Sequence, residues 1–184
     1  MYKILLKPAV WVVIPLITLL GLVVAPKVSV NNVIPLDDTQ VYCLTRNAYY
    51  EAKGDSQMSQ IAVTHVVLNR LNDPKFPKSA CDVVYQKNRN ERKEVVVCQF
   101  SWYCDKRMMS RVIDPLVWEE SYVAVEKALK IYYQKGVDVT EGSTFYHANY
   151  INPGWRHLEK VTSIGSHVYY KVSDNDRSTR RNVH

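Results

Sequence analysis

Glycine is scarce in this chain, 6 in 184 residues. A glycine-rich loop that cradles phosphate with closely approached backbone N–H groups is therefore not expected. No Cys-x-x-Cys pair and no Cys/His cluster at zinc-ligand spacing occurs, which disfavours a structural zinc site. No internal repeat is present. Charged residues make up 23% and apolar residues 47%, ordinary globular proportions that exclude global disorder and a collagen-like chain. The length suits one compact domain with an extra segment and is short for two full domains.

What is present begins with a long uncharged run. Residues 8–26 carry no charge, and as a helix at ~1.5 Å per residue these 19 residues span ~28 Å, close to a hydrocarbon core. Lys3 and Lys7 precede the run, and Lys27 alone follows it closely before Asp37 and Asp38. The positive-inside bias keeps residues 1–8 in the cytoplasm, makes 9–26 a transmembrane signal anchor and places everything later outside. The competitors are a cleaved signal peptide and a buried core helix. Against cleavage, Pro26 would stand just past the small-residue site Val23-Val24-Ala25. An excess of 24 Lys and Arg over 18 Asp and Glu gives a net charge of +6, which suits an anionic partner such as nucleic acid, lipid headgroups or an acidic polysaccharide.

Cys43, Cys81, Cys98 and Cys104 follow the run, and an even count in an exported domain reads as two disulfides. Four cysteines allow three pairings. Cys98 and Cys104 flank a short strand end and favour a local bridge, which leaves Cys43 with Cys81.

Beyond a linker at 27–37, Asp38 or Thr39 can cap a helix that runs to about residue 53, with Gly54 as its stop. A second helix over 56–71 is apolar on most faces and reads as the buried central helix. A short helix is expected within 78–85, a solvated charged loop over 87–93 and a strand over 95–102. Asp114-Pro115 opens a helix that Gly136 stops, with Trp118, Tyr122, Val125 and Leu129 at helical spacing. Short strands and turns fill 143–170, the domain closes at 172, and 173–184 is a polar tail. The class is α+β with helices dominant.

The first helix holds one oddity. Val41, Leu44 and Ala48 step along one face, and the next member of the series is Glu51. A carboxylate on the core-facing stripe in a helix's last turn is disfavoured as an anion by burial and by the negative helix end. Such a protonated glutamic acid is what a general acid needs. The structural alternative is an ion pair with Arg46 or Arg70. In Cys98-Gln-Phe-Ser-Trp-Tyr-Cys104, a strand can present Gln99 and Ser101 for hydroxyl contacts and Trp102 for stacking on a sugar, or form an ordinary core strand. His147 can be a base, a metal ligand or structural. His65 reads as a core histidine, His157 and His167 as a weak metal pair, and Trp155 as a groove-lining aromatic or a staple under a loop.

These residues together resemble a family. Tyr50-Glu-Ala-Lys-Gly-Asp55, Gln60, Ala62-Val63 and Val67-Leu-Asn-Arg70 are similar to the opening motif of the SleB-type cell-wall hydrolases, the spore cortex-lytic enzymes. Phe76-Pro77, Cys81-Asp-Val-Val-Tyr85, Gln99-Phe-Ser-Trp102, Asp138-Val-Thr140, Tyr146-His-Ala148, Pro153-Gly-Trp155 and Ile164-Gly-Ser-His167 continue the likeness in register over about 40–170. Lys53 and Asp55 stand where that family usually has Arg and Glu. The resemblance implies a small lysozyme-like fold, which follows the one N-terminal transmembrane helix read from the uncharged run. It also implies cleavage of peptidoglycan between N-acetylmuramic acid and N-acetylglucosamine with Glu51 as acid, no cofactor or metal, and no nucleic-acid partner. Asp55, Gln60, Gln99, Ser101, Trp102, Tyr146, His147 and Trp155 become the expected substrate-binding set. Compact exported members with one anchor also resemble phage lysis enzymes. A non-catalytic wall-binding anchor and an amidase or peptidase using His147 with a metal, or Cys98, are the rival readings.

Overall fold

The structure, a computed structural model, describes residues 36–89 and 96–173. The apolar run 9–26 and the tail 174–184 lie outside the described residues. Among the described residues no helix is long and apolar enough to cross a membrane.

Helix α1 (Asp38–Ala52) starts one residue earlier than the sequence signal, because Asp37 rather than Asp38 or Thr39 accepts from the Gln40 N–H. Gly54, at φ +81°, turns the chain where a side chain would strain the backbone. Helix α2 (Gln57–Asn72) is capped by Ser56 and buried over most of its surface, as its near-continuous apolar run requires. It packs against α1, against the short α3 (Ala80–Val84) and against α5 (Pro115–Tyr133). Asp114 caps α5 by accepting from the Leu116 and Val117 N–H groups, and Pro115 takes the first turn. The buried stripe of α5 is Ser121, Ala124, Val125, Ala128 and Leu129. It is rotated from the expected one, and Tyr122 faces out.

Two expected elements differ. Part of the charged loop is strand β1 (Lys87–Arg89), paired antiparallel with β2 (Val96–Cys98). The strand expected over 95–102 ends at Cys98, and Ser101–Cys104 forms a 3₁₀ turn followed by the short α4 (Lys106–Met109). A six-residue span closed by the Cys98–Cys104 bridge is too tight to stay extended. The second bridge joins Cys43 of α1 to Cys81 of α3. Both pairs are those the spacing favoured.

The C-terminal third is an antiparallel sheet in the order β3-β5-β4, from β3 (Phe145–Ala148), β4 (Leu158–Ile164) and β5 (His167–Val172). Tyr169 of central β5 packs on Ala62 and Val66 of α2, which seats the sheet on the helices. The main core gathers Leu44, Val63, Leu68, Val83, Phe100 and Trp102.

Candidate active site

Between the end of α1, the 3₁₀ turn and the β3–β5 edge lies a cleft of about 350 Å³. Glu51 lines it, on the last turn of α1, where the apolar stripe ends. Tyr146 on β3 donates its hydroxyl to Glu51 Oε2 at 2.8 Å. Burial raises the Glu51 pKa, while the Tyr146 hydrogen bond and the nearby Arg70 charge pull the other way without cancelling it. With Oε2 accepting from Tyr146, the proton is left to Oε1. Burial pushes the Tyr146 phenol well above its usual value, so it stays a donor at neutral pH.

Arg70 comes from the buried face of α2 and also lines the cleft. Its Nε donates to the Thr144 carbonyl at 2.8 Å, and its guanidinium lies 5.0 and 5.2 Å from the Phe76 and Phe100 ring centroids. Burial brings its pKa down to about 10, still a cation at neutral pH. Neither Arg70 nor Arg46 forms an ion pair with Glu51 within 4 Å among the described residues. Arg46 instead donates to Tyr85 Oη and sits 5.5 Å from the Trp102 ring centroid.

Of the expected substrate-binding set, the structure brings Gln99, Ser101, Tyr146 and His147 to the cleft. His147 is engaged at both ring nitrogens, with the Ala148 carbonyl at 2.8 Å and Tyr170 Oη at 3.0 Å. Four members of the set are placed differently. Trp102 reaches the cleft wall but is 1% exposed, stacked on Tyr50 at 4.6 Å with its N–H donated to Asn47 Oδ1, so no face is open to a sugar. Gln60 is buried inside α2 and does not line the cleft. Trp155 packs edgewise on Phe145, His147 and Tyr170 as a staple under the β3–β4 loop, away from the cleft lining.

Asp55 is the fourth. It accepts from the Ser166 N–H and hydroxyl, both at 2.8 Å, and from the Ser56 N–H, and these bonds hold its pKa below the usual range despite some burial. It clasps the α1–α2 junction to the β4–β5 turn. Gly165 in that turn, at φ +56°, has no room for a Cβ, which would collide with Ser59 Oγ and both Asp55 carboxylate oxygens. The cysteine form of the amidase or peptidase rival loses its nucleophile, because Cys98 is bridged to Cys104. His157 lines a separate hollow from His167.

Sequence reasoning did not foresee Met108, Tyr150 and Ile151 in the cleft. Tyr150 is 84% exposed and Ile151 48%. Both follow β3 directly, and an exposed Tyr-Ile pair beside the Tyr146-His-Ala motif was the available signal. His65, the expected core histidine, places Nδ1 2.9 Å from Asp138 Oδ1. Asp138 also accepts from Asn69, Thr140 and Gly142. That network shapes the loop leading into β3, and hence the position of Tyr146.

An acidic side chain in a cleft on a helix-rich α+β scaffold is the arrangement that acid catalysis in an open groove requires. A family model described as Cell Wall Hydrolase matches residues 54–170, more than half of the chain, so the chain belongs to the cell wall hydrolase family. Glu51 lies three residues ahead of that stretch, so its role rests on the geometry. A spore cortex-lytic enzyme of Halalkalibacterium halodurans is 37% identical over 49 residues, 27% of this chain and 15% of that protein. The Bacillus subtilis spore cortex-lytic enzyme is 34% identical over 59 residues, 32% of this chain and 19% of that protein. The matched stretches thus span less than a fifth of either relative. The fold is similar to the catalytic domain of the Bacillus cereus SleB protein, with TM-score 0.55, 20% identity and coverage of 75% of this chain and 94% of that one. It is also similar to the catalytic domain of the germination-specific lytic transglycosylase SleB from Bacillus anthracis, with TM-score 0.54, 19% identity and coverage of 75% and 98%.

Proposed function

We propose that this protein cleaves the glycan strands of peptidoglycan between N-acetylmuramic acid and N-acetylglucosamine, as a lytic transglycosylase. The observation that carries this reading is a single raised-pKa carboxyl in the cleft. Among the described residues lining it, Glu51 is the one carboxylate. Hydrolysis by a glycosidase calls for two carboxyl groups at a set separation, one of them serving as nucleophile or as base for water. A transglycosylase needs one group used twice. Glu51 first gives its proton to the glycosidic oxygen. As a carboxylate, with Arg70 and Tyr146 nearby to stabilise the charge, it then takes a proton from the muramic acid primary hydroxyl. That hydroxyl closes on the anomeric carbon to leave an anhydro sugar.

The open aromatic face for a sugar ring is Tyr150, since the Tyr50 and Trp102 rings are stacked on each other and Tyr146 is held by Glu51. Residues 9–26 anchor the chain in the cytoplasmic membrane with the catalytic domain outside, where peptidoglycan lies. The two cysteine bridges fit that oxidising side. Mass spectrometry of digested muropeptides tests the reaction. Anhydro-muramic ends are expected, whereas reducing ends would mean hydrolysis and free peptides an amidase.

A further inference from the structure

A second, smaller hollow of about 40 Å³ adjoins the cleft, lined by Tyr49, Tyr50, Lys53, Met108, Arg111 and Val112. Tyr50 and Met108 line both, so the two are neighbours that share these side chains. Two exposed cations flank an apolar floor. Lys53 is held in place, its Nζ donating to Tyr49 Oη at 3.1 Å and lying 5.0 Å from the ring centroid. Arg111 is exposed on the segment between α4 and α5. Neither has an ion-pair partner within 4 Å among the described residues. Val112 beside them is 92% exposed, an apolar side chain left uncovered. The nearby carboxylates are already engaged, Asp105 capping α4 and Asp114 capping α5.

This combination selects a ligand. Cations over apolar side chains suit a short peptide with small aliphatic side chains and free carboxylates. A peptidoglycan strand carries such a peptide on the lactyl group of each muramic acid. Any strand lying in the cleft must lead its peptides out over a wall. Among the cleft-lining side chains, Gln99, Ser101, Tyr150 and Ile151 offer a carboxylate no opposite charge. We propose that the hollow between Lys53 and Arg111 seats the peptide stem of the peptidoglycan strand, the two cations meeting its carboxylates while Met108 and Val112 pack on its alanine methyls. The inference rests on the glycan-cleaving reading of the cleft and names what that cleft selects: strands that still bear peptides over strands stripped of them.

The test uses the full chain in detergent carrying Glu51→Gln, so that binding is read without turnover. Soluble glycan fragments are supplied in two forms, peptide-bearing and stripped by an amidase, and the ratio of their affinities is measured. A ratio well above one is expected. It should fall roughly tenfold on adding Lys53→Glu with Arg111→Glu, several-fold with the milder Lys53→Gln and Arg111→Gln pair, and collapse at about 0.5 M salt. Both positions are exposed, so the unfolding temperature should hardly move. A ratio near one in the parent protein, or charge variants that weaken both fragments equally, overturns the proposal. So does a ratio that stays fixed while the charge variants lose adsorption to phosphatidylglycerol vesicles, which assigns the patch to a membrane surface. Turnover of peptide-bearing strands by the unsubstituted protein is followed separately. Its absence removes the transglycosylase reading and leaves the affinity ratio to be judged alone.

Discussion

At the scale of single residues the proposed chemistry turns on Glu51. Replacing it with Gln keeps the shape and the Tyr146 contact but removes the proton, and activity on peptidoglycan should fall by ~10²–10⁴-fold. The same variant should be more stable than the parent at neutral pH. A carboxyl whose folded pKa lies above its ordinary value of 4.5 binds its proton more tightly in the folded chain. Folding stability is therefore fullest below that value and declines as pH climbs towards the raised one. Thermal unfolding followed across pH should show the variant gaining on the parent over that window. Tyr146→Phe removes an influence that lowers the Glu51 pKa, so the alkaline limb of the kcat/KM profile should move to higher pH, with kcat reduced. Two aromatics should separate by readout. Trp102→Ala should cost ~3–5 kcal/mol of stability as a core cavity, whereas Tyr150→Ala should leave the unfolding temperature in place and raise KM. The acid was legible in the sequence because Val41, Leu44 and Ala48 step directly to it on one helix. Its partners were not, since Arg70 and Tyr146 meet Glu51 only once α2 and β3 are packed. The burial of Trp102 was not legible for a related reason, because an aromatic between polar residues looks the same whether its ring faces water or Tyr50.

Among the elements, helices were the more readable. Asp-Pro before α5, Ser56 before α2 and Gly54 after α1 are local signals whose physics does not depend on the rest of the chain. The β2–3₁₀ segment was misread because its conformation is set by a bridge between Cys98 and Cys104, not by the alternation of its side chains. The stripe of α5 slipped because Tyr122 and Trp118 are amphipathic and fit a periodic pattern from inside or at the rim. Within the β4–β5 hairpin, Gly165→Ala should be severely destabilising, since it combines a left-handed φ with a collision against Asp55 and Ser59. Chemical denaturation should show a larger loss for it than for Gly142→Ala, where the same φ class meets open space. The bridges should differ as well. With its ends separated by 38 in sequence, Cys43–Cys81 should contribute ~4 kcal/mol in the chain-entropy model, against ~2 kcal/mol for the bridge with a separation of 6. Paired Cys→Ser variants compared by unfolding midpoint check the order.

For the molecule as a whole, the anchor proposal sets where the reaction happens. Protease added to spheroplasts should digest the domain and spare about the first 25 residues, in keeping with the length rule for a spanning helix. Recovery of soluble protein with a new amino terminus near Pro26 would make the run a cleaved signal instead. The clasp between Asp55 and Ser166 has a consequence in time. The chain carries its acid early, at Glu51, but Tyr146, His167 and the turn that Asp55 grips come nearly a hundred residues or more later. On the proposed export and wall cleavage, a chain emerging amino end first would be inert through most of its passage. It would become a cutting tool only when its last hairpin arrives, so a ribosome that stalls or a protease that clips before that point would leave behind a harmless fragment.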